Sequence, residues 1–274
     1  MADPALLDVA QDYALKLLHD EGIFDLGAVL KGGTSLRKFR AGNAGRFSTD
    51  LDFAAPDVDT ADLLLDTLDG AELFDVRFTL EQREATRARL LIDTPLGRPA
   101  IPARIEISPR PLWLPTIPTV PIALPVHAGY EFAMPAIPAP ALEESLAEKL
   151  AAWRRRRKLR DLYDLDLFGA GRLEEALIRR LLVLKVWHDV VDDALGTRPF
   201  DPAEIIAEVD ARSLPPEDIG LLTRPVEPDV WLARVRTRYE FLTALDEAER
   251  QVAACNRGDR YVVSRLVLDL IEQQ

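Results

Sequence analysis

A single cysteine, Cys255, stands among 274 residues, so no internal disulfide can form and a cysteine-built zinc cage is excluded. Histidine is nearly as scarce. His19, His127 and His188 lie far apart in sequence, which argues against a histidine-rich metal site. No run approaches the ~20 apolar residues that a membrane helix needs. Met1 to Asp12 carries acids and no basic segment, so a signal peptide is not expected and the cytoplasm is the expected compartment. Positive charge is also in deficit, with 34 basic against 46 acidic residues and a net charge of −12. Such a chain is no default nucleic-acid binder and needs a local basic patch to become one. Hydrophobic residues at 48% and charged residues at 29% exclude disorder of the whole chain. By the loose prior of ~150 residues per domain, the length suggests two domains.

Pro4 to Asp20 reads as a helix, with Leu6, Leu7, Ala10, Ala14, Leu17 and Leu18 at helical spacing, Asp3 as N-cap and Gly22 as stop. Ala28 to Leu30 is a short apolar run, and Gly32 to Ser35 is a turn opening a short helix through Phe39. Ala41 to Arg46 is a loop, and Leu51 to Ala55 a strand stopped by Pro56. A helix capped by Thr60 follows to Leu68. Strands are predicted at Leu73–Leu80, Thr86–Asp93 and Arg104–Ser108, the last with Ile105 and Ile107 on one face and Arg104, Glu106 and Ser108 on the other. Nine prolines between Pro109 and Pro140 exclude a long helix there, and extended segments are expected at Val120–Leu124 and Ala133–Ile137. Beyond this link the chain reads helical, with Leu142, Leu146, Leu150 and Trp153 on one face. Further helices are expected at Leu173–Val191, near Pro202–Val209 and at Val230–Ala253. The predicted class is α+β. A mixed-sheet domain occupies residues 1–140, with its proline-rich link at 109–140, and a helical domain residues 141–274.

Asp50 and Asp52 stand two apart on a predicted strand, which aims both carboxylates at one face. Adjacent carboxylates repel unless a cation lies between them, and magnesium takes a few carboxylates plus phosphate oxygens. Glu106, opposite the apolar face of its strand, is a third candidate ligand. Gly32 and Gly33 allow backbone N–H groups to approach a phosphate, with the Thr34 and Ser35 hydroxyls beside them. Ser48, two before Asp50, is either a turn hydroxyl or a residue at the mouth of the site, where a phosphate on it would add up to about −2 charge. Arg154, Arg155, Arg156, Arg157, Lys158 and Arg160 place six cations within seven positions. That run is either a solvated helix face or the local patch an acidic protein needs. Asp161 and Asp164 share a helix face, where Asp161 has the spacing to pair with Arg157. Trp187 and His188 read as core or surface residues, and Cys255 as a small, partly buried apolar group.

In order, Lys31-Gly32-Gly33-Thr34-Ser35-Leu36, then Arg46-Phe47-Ser48-Thr49-Asp50-Leu51-Asp52-Phe53, then Glu148-Lys149-Leu150-Ala151-Ala152 and Arg160-Asp161-Leu162-Tyr163-Asp164-Leu165 carry a family likeness. The chain resembles the AbiEii/AbiGii toxin-type nucleotidyltransferases, which include the MenT toxins and belong to the polymerase-beta-like superfamily. The resemblance covers roughly residues 25 to 190; the remainder, to Gln274, carries no matching motif. It implies a polymerase-beta-like fold and a type IV toxin–antitoxin toxin that moves an NMP from an NTP to RNA. The acceptor it implies is the 3′ end of tRNA, whose modification blocks translation. It further implies magnesium or manganese on Asp50 and Asp52, with Glu106 a less certain ligand. Nucleotide phosphates would sit on Gly32, Gly33, Thr34 and Ser35, with Ser48 close by. Lys149 would contact the triphosphate, and Asp161 would complete the site. The arginines of the basic run would hold RNA, and an antitoxin would be the protein partner. Two other readings keep part of this. In one, a protein or small molecule is nucleotidylated or phosphorylated; in the other, the site is degenerate and only regulates. The complete residue set argues against the last.

Overall fold

The computed structural model describes residues 4–95, 97–196 and 198–272. The chain clusters into two compact units. One holds Met1–Leu112, Thr116–Pro140 and Leu221–Thr223; the other holds Trp113–Pro115, Ala141–Gly220 and Arg224–Gln274.

The first unit begins with α1 (Pro4–Asp20), and its expected cap, Asp3, lies outside the described residues. Strand β1 (Val29–Lys31) leads into the short helix α2 (Gly32–Leu36), which widens into a π turn over Arg37–Ala41. Then come β2 (Asp50–Ala54), α3 (Val58–Leu68), β3 (Glu72–Leu73), β4 (Val76–Glu81), β5 (Arg87–Thr94) and β6 (Gly97–Ser108). The six strands form one sheet in the order β1-β2-β6-β5-β4-β3. β2 runs parallel to β6, and every other pairing is antiparallel. Pro102 is tolerated in β6 because β2 pairs with that strand only from Arg104 onward.

One face of the sheet makes the core. Leu51 and Phe53 of β2, Leu90 and Ile92 of β5 and Ile105 of β6 are fully buried against Leu15 and Leu18 of α1 and Leu64, Leu65 and Leu68 of α3. Each such side chain contributes ~1.5–3 kcal/mol through apolar burial. Strand alternation then turns Asp50, Asp52, Arg87, Arg89, Arg104 and Glu106 to the opposite face.

Three local expectations are corrected in this unit. The cap of α3 is Asp57, whose carboxylate accepts from the Thr60 N–H, so the helix starts before Thr60. The strand expected over Leu73–Leu80 is two strands joined by a tight turn at Phe74 and Asp75, with φ of 49° and 61°. A turn with two left-handed residues is usually announced by Asn-Gly or Asp-Gly, and Phe-Asp gives no such signal. The extended segments of the proline-rich stretch are β7 (Ile117–Thr119) and β8 (Ile137–Ala139), paired with Pro118 opposite Pro138, rather than the segments expected.

The second unit is helical, with α4 (Leu142–Arg156), α5 (Leu159–Gly169), α6 (Glu175–Val191), α7 (Ala203–Ile206), α8 (Pro228–Arg238), α9 (Glu247–Ala253) and α10 (Arg260–Glu272). Its core gathers Leu146, Leu150, Trp153, Leu162, Tyr163, Leu181, Trp187, Trp231 and Tyr239. The helix expected from Val230 to Ala253 is broken after Arg238 and restarts at a capping box. There the Asp246 carboxylate accepts from Glu249 N–H at 2.8 Å and Glu249 accepts from Asp246 N–H at 2.9 Å. The Asp-x-x-Glu signature stands in the sequence, and helix α10 lies beyond the last helix the spacing predicts. No helix among the described residues is long and apolar enough to cross a membrane.

Candidate active site

Strand β2 sets the pair of carboxylates. Leu51 and Phe53 anchor its inner face, so Asp50 and Asp52 lie half-buried on the outer one. Parallel pairing puts Asp50 beside Arg104 and Asp52 beside Glu106, while antiparallel pairing puts Lys31 on the other side of Asp52. The double glycine is a requirement of this geometry. Gly32 has φ +73°, and a Cβ there would overlap the Asp52 carboxylate. A Cβ on Gly33 would overlap the Arg46 guanidinium and lie 3.2 Å from Ser48 Oγ. The turn thus brings bare backbone against Asp52, Arg46 and Ser48.

The hydroxyls divide their work. Thr34, expected as a phosphate ligand, is fully buried and donates to the Asp50 carbonyl at 2.6 Å, so its hydroxyl braces β2 against α2. Ser35 and Ser48 are buried, and the Ser48 carbonyl accepts from Gln11 Nε2 at 3.1 Å. Thr49 Oγ1 donates to Asp50 Oδ1 at 3.2 Å and fixes that carboxylate's orientation. Arg46, buried beside the turn, was carried in the sequence only as part of a motif; its one signal was a cation two residues before Ser48.

Glu106 stands next to Asp52 in register, but its carboxylate lies 3.9 Å from Arg104 and is 44% exposed. Among the described residues, no group of three or more His, Cys, Asp or Glu side chains is gathered as a metal site. The structure brings together the two aspartates and does not draw Glu106 in as a third ligand. Two half-buried carboxylates on one strand face are an all-oxygen donor set. That set fits a magnesium-type cation, which takes one or two carboxylates and completes its shell with substrate phosphates and water. Beside Asp50 an open cavity of ≈ 520 Å³ runs over the outer sheet face, lined by residues of β2, β5 and β6 and the loop before β5.

In the second unit, Lys149, Asp161 and Asp164 meet. Lys149 Nζ lies 2.7 Å from Asp164 and 3.7 Å from Asp161. Asp161 is fully buried and takes a two-pronged contact from Arg156 at 2.7 and 2.8 Å. The pairing with Arg157 suggested by helical spacing is therefore replaced by Arg156. The reason is local: α4 ends at Arg156, and Arg157 adopts a left-handed conformation with φ 46°. The basic run is not one helix face. Arg154 is buried, donates to the Arg198 and Pro199 carbonyls and pairs with Glu204 at 3.1 Å, so it cannot meet RNA. Arg157 donates to the Glu204 carbonyl and stacks over Trp153 at 4.8 Å. Arg155 and Arg156 are exposed, each paired with an aspartate, and Arg160 is half-buried. Trp187 is core, and His188 pairs with Asp192.

Comparison with known proteins bears on the family and the fold. No curated protein matches the sequence. Among solved structures, MenT4, a nucleotidyltransferase toxin from Mycobacterium tuberculosis H37Rv, is 46% identical with a TM-score of 0.92. That match covers 97% of this chain and 93% of the other. Two Helicobacter pylori structures, JHP933 among them, match at TM-scores of 0.52 and 0.50 with 18% and 17% identity. These cover 89% and 88% of this chain and 96% and 92% of theirs, and at such identity they speak for the fold alone. The profile of the nucleotidyl transferase AbiEii toxin family, type IV toxin–antitoxin system, spans residues 16–252, and the chain belongs to that family of nucleotidyltransferase toxins.

Proposed function

We propose that this nucleotidyltransferase joins an NMP to the 3′ end of an RNA acceptor, a tRNA above all, and so stops translation. The observation that carries the reading is the Asp52 carboxylate seated against Gly32, with Asp50 beside it on an open sheet face. In the proposed reaction a hydroxyl oxygen of the acceptor forms a bond to the α-phosphorus of the NTP. The bond from that phosphorus to the bridging oxygen of the β-phosphate breaks, and pyrophosphate leaves. The hydroxyl proton passes to a carboxylate of the set Asp50, Asp52 and Glu106 and then to water.

Asp50 and Asp52 would hold a divalent cation, magnesium or manganese. When bound, it supplies positive charge at the α-phosphate and lowers the pKa of the attacking hydroxyl. The residues of the chain do the rest. Thr49 and Thr34 hold Asp50 in place from its side chain and its carbonyl. Gly33 and Ser35 receive nucleotide phosphates, and the buried Arg46 places a permanent cation at that turn. Lys149 and Asp161 serve the same reaction in the family reading, the lysine as a compact charge toward the triphosphate. A cognate antitoxin is the expected protein partner.

The test is incubation with each labelled NTP, magnesium and unfractionated tRNA, for the wild type and for Asp52→Asn. Labelled RNA with the wild type and none with the variant is expected. Labelled protein in place of RNA would move the reading to a protein acceptor. Absence of any label with all four NTPs would sink it.

A further inference from the structure

An in-line displacement has two sides. The attacking oxygen must approach the α-phosphorus opposite the departing pyrophosphate. In the proposed function the nucleotide phosphates belong to the Gly32–Ser35 turn, which lies on the β1 side of β2. The sheet order puts β6, β5 and β4 on the other side of β2. An acceptor approaching opposite that turn would reach Asp50 across those strands, where the surface is an open cavity of ≈ 520 Å³.

The register places a row of cations across that cavity. Asp50 pairs with Arg104 on β6, and Arg104 pairs with Arg89 on β5. At ~4.8 Å between strands, Arg89 stands about 10 Å from Asp50 along the row. Arg104 is 66% and Arg89 48% exposed at the side chain, with Arg87 a further exposed lining residue. Glu106 lies 3.9 Å from Arg104 and Glu81 3.2 Å from Arg89, both exposed contacts that a stronger anion can displace. A guanidinium presents a planar fork matched to phosphate oxygens.

We propose that Arg104 and Arg89 hold successive phosphates of the RNA strand whose terminal hydroxyl is presented at Asp50. This rests on the transfer reading above and names the surface by which the acceptor is held. Two features of the cavity shape how it binds. Three arginines face three carboxylates, Asp50, Glu84 and Glu106, so the groove grips through individual contacts and has little net positive field for steering. No aromatic side chain lines it among the described residues, so it offers bases no stacking platform and reads backbone rather than sequence.

The experiment measures KM for unfractionated tRNA and for NTP at two salt concentrations, with Arg104→Gln, Arg89→Gln and the double variant. Each single change should raise the RNA KM roughly five- to tenfold and leave the NTP KM in place. With about 0.7 of slope per single-strand phosphate contact, the double variant should lose roughly 1.4 from the salt dependence of RNA binding. Arg104→Lys and Arg89→Lys keep the charge and should restore part of the affinity. Thermal melts should not move, because both side chains are exposed. RNA labelling by the wild type with an unchanged RNA KM in the Gln variants overturns the acceptor track alone. A joint rise in both KM values assigns the groove to the nucleotide and also overturns it. A wild type that labels no RNA overturns the track together with the reading it rests on.

Discussion

Asp50 and Asp52 sit on the sheet face away from the core, so replacing them tests chemistry rather than packing. Asp52→Asn should lower turnover roughly 10³-fold or more, while stability stays within about 0.5 kcal/mol of wild type by thermal melt. Full turnover in that variant would remove Asp52 from the reaction. Gly32→Ala makes the complementary point. A methyl group there meets the Asp52 carboxylate, and φ +73° is itself strained for alanine by ~1–2 kcal/mol. Activity should fall because Asp52 is pushed aside, and the melt should drop with it. Lys149 is different. It lies 2.7 Å from the buried Asp164 and 3.7 Å from Asp161 inside the helical unit, so Lys149→Ala removes a cation from a buried ionic cluster and should cost ~3–5 kcal/mol in denaturant titration. Turnover of that variant is interpretable only on the fraction that stays folded. The Asp-x-Asp alternation was legible from a period of two; that the double glycine makes room for Asp52 and Arg46 was not, because close approach depends on how α2 meets β2.

At the scale of elements, the basic run shows how far local pattern reaches. Six cations in seven positions read either as a solvated helix face or as a local basic patch, and α4 ends at Arg156 so that its neighbours diverge further. Arg154→Ala removes the contacts to the Arg198 and Pro199 carbonyls and to Glu204, and should destabilise by ~2–4 kcal/mol. Arg155→Ala takes a cation from the half-buried Asp189, whose carboxyl is already pushed up by desolvation, and should cost less, ~1 kcal/mol. Melting curves of the two variants, compared directly, decide between this account and a uniform solvated face. The amphipathic stretches of α1, α4 and α6 could be read because their apolar spacing is regular. The break at Arg157 could not, since neither glycine nor proline marks it.

For the whole molecule, a buried cluster in the first unit contributes to the pH dependence of stability. Lys38 Nζ lies 2.6 Å from Asp12 and 3.2 Å from Asp8, and Asp12 also accepts from Tyr130 at 2.7 Å. Burial pushes the Asp12 carboxyl up, but the Lys38 charge and the hydrogen bonds from His127, Lys38 and Tyr130 outweigh it, so its pKa falls below the usual carboxylate value. Burial pushes Lys38 down, yet Asp12 and Asp8 outweigh that and raise it. A depressed carboxyl contributes stability above its unfolded value near ~3.9, lost as pH falls through the folded value. A raised lysine contributes stability below ~10.4, lost as pH rises through its folded value. Melting temperature should therefore lack any contribution from this pair to its slope between about pH 5 and 9. Asp12→Asn should lower the melting temperature there and flatten the acid limb. An unchanged acid limb in that variant would place acid lability elsewhere.

The amino-acid sequence by itself determined the strand that carries Asp50 and Asp52, the core face behind it and the α+β class, because each follows from short-range periodicity and residue chemistry, while the family motifs were legible through resemblance. Tertiary structure alone decided the rest. Thr34 became a brace for the Asp50 carbonyl, Arg46 came to lie against Gly33, and Arg104 and Arg89 lined up beside Asp50. Arg154 was drawn inward by carbonyls 44 and 45 residues away. Register and burial of a cation are set by partners distant in the chain, and no local window contains them.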